Sequence, residues 1–171
     1  MRREALNEAL RRRYRPACVR LLFVGEAPPA SGRFFYRGDS GLYRAMREAF
    51  VTADSRFDAV DFLGAFRDNG CYLIDLCAHP VDRLAAGERR TARAASERRL
   101  AGAIARLQPE SIVVLLRAIE ENVRRAAARA NWQGPMIGLP YPGRWVRHRE
   151  VFVPALAKVV SVTLHSEFSD R

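Results

Sequence analysis

Four short apolar runs punctuate the chain, and between them apolar residues recur at helical spacing. Residues 20–24 (closed by Gly25), 71–76, 112–116 and the weaker 136–139 are continuous rather than alternating, the pattern of strands buried on both faces. Residues 4–13 place Ala5, Leu6, Ala9 and Leu10 on one helical face, and Leu42, Met46, Ala49 and Phe50 form a second such stripe. Further helices are predicted over residues 58–68 (stopped by Asn69 and Gly70), over 91–107 ahead of Pro109, over 118–129, and over 148–162. Strands alternating with helices predict a three-layer α/β/α sandwich around a central, mainly parallel four-stranded sheet, as one domain across residues 1–171. No internal repeat or low-complexity linker interrupts it.

Composition narrows the class. At 171 residues and 49% hydrophobic, the chain buries a real core. The most apolar stretch, residues 151–164, is broken by Pro154, Lys158 and Ser161 and is too short to cross a bilayer. The amino terminus leads into charge rather than an apolar leader. Three unevenly spaced cysteines make no disulfide framework. These features predict a soluble, cytoplasmic domain, taken as a monomer, with no membrane association. The net charge of +10 suits a polyanion such as nucleic acid, although all but one of the 29 basic residues are Arg, as a composition-wide bias would also produce.

In parallel sheets ligands bind beyond the carboxyl ends of the strands, so the chemistry is sought in the loops there. The first such loop, residues 25–41, carries two prolines and four glycines and is read as irregular. Glu26 stands just past a strand end, a rigid support for aiming a carboxylate at a water, and the run Phe34, Phe35, Tyr36 offers a ring for base stacking. The plainer reading makes Glu26 a solvated residue and the aromatics core. A late loop holds Tyr141, Arg144, Trp145, Arg147, His148 and Arg149, a mix suited to phosphate contact and a wedge into a base step, or simply a surface loop before a helix. Cys71, Cys77 and His79 are considered as metal ligands and set aside, because Cys71 opens a strand; no metal or cofactor is expected. The arginines at 89, 90, 93, 98 and 99 are read as a solvated helix face.

Val24-Gly25-Glu26-Ala27-Pro28 resembles the first motif of the uracil-DNA glycosylase superfamily, in branches where it reads Gly-Glu-Ala-Pro-Gly. The resemblance continues in order through Phe35 to Gly41, through Tyr72 to Asp75 before Pro80, through Leu107-Gln108-Pro109 before the third strand, and at Leu139-Pro140-Tyr141. It implies a DNA glycosylase that extrudes a base and hydrolyses its N-glycosidic bond, with Glu26 positioning water and Ala27, Tyr36 and Asp75 contacting the base. DNA is the implied partner, met by Tyr141, Arg144, Trp145, Arg147 and Arg149.

Three positions depart from the family pattern. Leu139 stands where the family has the His that stabilises the departing base, Asp75 where it has an Asn, and Arg117 where it has a Gly. A carboxylate only accepts hydrogen bonds, so Asp75 suits an amino or imino donor better than a carbonyl. The expected substrate is therefore a damaged or deaminated base in DNA rather than uracil in particular. The alternatives are a relative that binds nucleic acid without cleaving it, or a hydrolase of free nucleosides.

Overall fold

The computed structural model describes residues 2–58, 61–143 and 146–165. Its elements are, in order, helix α1 (Arg2–Arg13), strand β1 (Leu21–Gly25), α2 (Gly41–Ala53), α3 (Phe62–Asp68), β2 (Cys71–Asp75), α4 (Ala86–Leu107), β3 (Ser111–Val114), α5 (Glu120–Arg129), β4 (Met136–Gly138) and α6 (Val146–His165). The four strands form one parallel sheet in the order β2-β1-β3-β4. Gly25 pairs with Asp75 and Val24 with Val114, so the ends of β1, β2 and β3 lie level.

The apolar runs explain why the sheet is central. Every residue of β1 and β2 is buried, which requires cover on both faces. Phe23 meets Phe50 of α2 and Phe66 of α3, the start of an aromatic cluster that includes Phe57 and Phe62. Helix α2 packs on α6, and α4 on α5. Between the last two, the buried Glu97 of α4 accepts from Asn122 Nδ2 at 2.8 Å and from Arg125 Nε at 2.9 Å.

Among the differences from the sequence reading, three stand out. Helix α4 begins at Ala86, five residues before the predicted 91, because the backbone N–H of Ala85 donates to Glu88 Oε2 at 3.0 Å and starts the helix without a buried residue. Helix α3 begins at Phe62; Asp58 belongs to a separate 3-10 turn, Ser55–Asp58. The first loop also holds one 3-10 turn, Phe35–Arg37, closed by Gly38 in the left-handed region at φ 73°. Among the described residues no helix is long and apolar enough to cross a membrane.

Candidate active site

From β1 the chain goes to β2 on one side, and β3 lies on the other. The connections therefore part at the carboxyl end of β1, the place where such sheets leave a crevice. A cavity of about 290 Å³ opens there. Gly25, Glu26 and Ala27 line it from β1, Phe34 and Phe35 from the first loop, Asp75 from β2, Leu115 and Leu116 from β3, with Arg89 and Tyr141.

Glu26 is held at backbone and side chain. Its carbonyl accepts from Cys77 N–H at 2.8 Å, extending the ladder past the strand end. Its carboxylate, 12% exposed, is gripped by two arginines of α4. Arg89 donates from Nε to Oε1 at 2.7 Å and from Nη2 to Oε2; Arg93 donates from Nε to Oε1 at 2.7 Å, with its Nη2 2.5 Å from the same oxygen. Burial alone would raise the carboxyl's pKa, but the hydrogen bonds from Arg89 and Arg93 outweigh it and hold the group below the usual carboxylate range. Glu26 is an anion here.

Asp75 closes the other side. Its Oδ2 accepts from Arg11 Nη2 at 2.7 Å, and its own carbonyl and that of Leu76 accept from Arg99. A Cβ built on Gly25 would stand 2.9 Å from Asp75 Oδ1, so glycine is what lets this carboxylate sit against β1. Burial lifts the Asp75 carboxyl above the ordinary range, with Arg11 and Arg99 pulling the other way. The Arg11 guanidinium also lies over the Phe34 ring, 5.3 Å from its centroid.

Tyr36 lies elsewhere. The sequence reading puts its ring on the base, yet the ring is buried in the core, stacked on Tyr14 at 5.6 Å, and does not line the cavity. Its hydroxyl accepts from Leu73 N–H at 2.7 Å and donates to Leu73 C=O at 3.0 Å. Leu73 sits on β2, the outer strand of the sheet, and Tyr36 satisfies backbone groups there that no neighbouring strand meets. The rings of the first loop that line the cavity are Phe34 and Phe35.

The late loop divides. Tyr141, 46% exposed overall, lines the cavity; burial first, then the charges of Asp75 and Glu26, raise its phenol pKa. Arg147 is exposed on α6, and Arg149 Nε donates to Glu48 Oε2 of α2 at 2.6 Å. Arg144 and Trp145 lie outside the described residues. Leu139 is in the core, its N–H donating to Val114 C=O at 2.8 Å as an extension of β4. Cys71 is a core residue whose thiol is pushed up by burial, while His79 is exposed beside Glu4 at 2.9 Å.

The reading of α4 as a solvated face fails at Arg89, Arg93 and Arg99, which reach Glu26 and the end of β2. The spacing of Arg89 and Arg93, one turn apart, was the available signal, since such a pair shares a helix face. Once residues 86–90 are helical, that face lies over the carboxyl ends of the strands.

The sequence model of the Uracil DNA glycosylase superfamily matches residues 12–165, nearly the whole chain. No curated protein matches it.

Proposed function

The chain belongs to the uracil DNA glycosylase superfamily, and on that premise we propose that it hydrolyses the N-glycosidic bond of a damaged or deaminated base in DNA. One observation carries the reading: two carboxylates from adjacent parallel strands, Glu26 and Asp75, line one cavity at the switch point of the sheet. A base extruded from the stack enters between Phe34 and the ends of β1 and β2, next to Ala27. Glu26, kept ionised, positions water and offsets the positive charge that develops on the sugar. Tyr141 and Arg147 meet the strand at the rim, with Arg149 from the start of α6; Arg144 and Trp145, the other expected DNA contacts, lie outside the described residues.

Asp75 sets the base preference. With Oδ2 on Arg11, Oδ1 remains as an acceptor at the cavity floor. Hypoxanthine presents N1–H with a C–H on one flank, whereas uracil flanks its N3–H with carbonyls on both sides and is repelled more. In Asp75→Asn the carbonyl must face Arg11, which only donates, so the amide NH₂ turns to the cavity and favours uracil O4. The expected result is a swing from hypoxanthine toward uracil in the ratio of excision rates.

The test is a panel of oligonucleotides carrying uracil, hypoxanthine, xanthine or alkylated bases, read by cleavage at the abasic product. Glu26→Gln should lower excision about 100-fold or more. A full-rate Glu26→Gln protein removes Glu26 from the chemistry. The second reading, a DNA-binding relative without catalysis, is favoured by the engaged carboxylate of Glu26 and by Leu139 in the core. Binding to abasic DNA with no excision across the panel selects it.

A further inference from the structure

Two guanidinium groups share one carboxylate at the rim of the cavity, where Asp82, which also lines it, supplies a second negative charge. Arg89 spends its Nε and Nη2 on Glu26, and its side chain is 33% exposed. Arg93 reaches the same carboxylate from one turn further along α4, and its Nη1 is 3.4 Å from the carbonyl of Ala118. Both lie in the amino-terminal half of α4, which starts at Ala86. This arrangement opposes excision as it stands. Oε1 of Glu26 already takes three N–H contacts and is not free for a water. A second anion at the arginines removes that obstacle, and the planar fork of Arg fits a phosphate as well as a carboxylate.

We propose that Arg89 and Arg93 form a phosphate-binding pair that, on DNA, exchanges the Glu26 carboxylate for a backbone phosphodiester beside the extruded nucleotide. The freed carboxylate then turns to the attacking water. Glu26 thus holds the place of the phosphate until DNA arrives, and the two anions compete for one pair of cations. The inference rests on the DNA-glycosylase reading for its substrate, but its consequence is in binding and does not require a base to be cut.

The experiment measures affinity for an oligonucleotide carrying a non-cleavable abasic analogue, as a function of salt, with melting curves confirming that each variant is folded. Glu26→Gln removes the competing charge and is expected to bind about tenfold tighter than the unaltered protein, the worth of a charge-assisted hydrogen bond. Arg89→Gln and Arg93→Gln are expected to bind more weakly and each to reduce the salt slope by about one. Arg106→Gln, at the far end of α4, should change neither. Equal affinity in Glu26→Gln together with unchanged slopes in both arginine variants overturns the proposal and makes the arginines mere holders of Glu26. If Glu26→Gln melts early, the two slopes decide alone. A nucleoside monophosphate that competes as strongly as the oligonucleotide also overturns it, by assigning the pair to free nucleotides. Excision by the unaltered protein, with equal affinity in Glu26→Gln and unchanged slopes in both arginine variants, defeats this inference alone; tighter binding without excision of any base defeats only the reading it rests on.

Discussion

Tyr36 donates to and accepts from the same backbone residue, and that pair of hydrogen bonds ties its ring to the edge of the sheet. Its hydroxyl meets Leu73 N–H and C=O on the outer strand, two residues before Asp75. Tyr36→Phe leaves two buried backbone groups without partners and is expected to cost about 1–3 kcal/mol in denaturant unfolding. If Tyr36 served only to stack on a base, the same change would keep the ring and leave both stability and activity alone. Glu26, Ala27 and Asp75 were legible at the residue scale because each closely follows or ends a strand, where the direction of the backbone is known in advance. Tyr36 was not: the run Phe34, Phe35, Tyr36 offers three similar rings, and only the packing of Tyr14 and the free edge of β2 says which one turns inward. Arg11 was invisible for a like reason, since its partner Asp75 is 64 positions away.

Helix α4 shows how much a single element can hide. Its apolar stripe, Leu100, Ile104 and Leu107, made its second half plain, while its first half carries no core residue and escaped until Glu88 was seen to cap it. Further along, Glu97 ties α4 to α5 through Asn122 and Arg125. The hydrogen bond from Arg125 foremost holds its carboxyl below the ordinary range, so its contribution is present above the unfolded value, ~4.3, and is lost as pH falls through the lower folded one. Glu97→Gln should therefore melt roughly 2–10 °C lower at neutral pH. Its melting temperature should also fall less steeply than that of the unaltered protein as pH drops below ~4. Parallel curves over that range would show that Glu97 carries no linked proton.

At the scale of the whole molecule, the parallel sheet was legible because continuous apolar runs separated by helices have few other solutions. The strand order was not, since no local pattern says that β1 lies between β2 and β3. That order brings three carboxylates (Glu26, Asp75 and Asp82) and four arginines (Arg11, Arg89, Arg93 and Arg99) around one opening. The net charge of +10 predicts DNA affinity that falls steeply with salt. Binding unchanged between ~50 and ~200 mM salt would exclude a phosphate-dominated interface.

The contact between Arg11 and Asp75 joins the first helix to the floor of the cavity. Burial already favours the protonated acid, so Arg11→Met should lift its pKa further. The stability linked to a raised carboxyl is present below the ordinary aspartate value, ~3.9, and is lost as pH rises through the folded one. Relative to the unaltered protein, Arg11→Met should thus lose melting temperature steadily from acid to neutral pH; a constant offset would show that Arg11 does not set the charge of Asp75. The practical consequence concerns the end of the chain that protein chemists alter most freely. Trimming the first thirteen residues spares every strand, but it turns the acceptor at the cavity floor toward a neutral acid that can donate. On the proposed reading of the site, a change made for convenience at the amino terminus would then alter which bases are admitted.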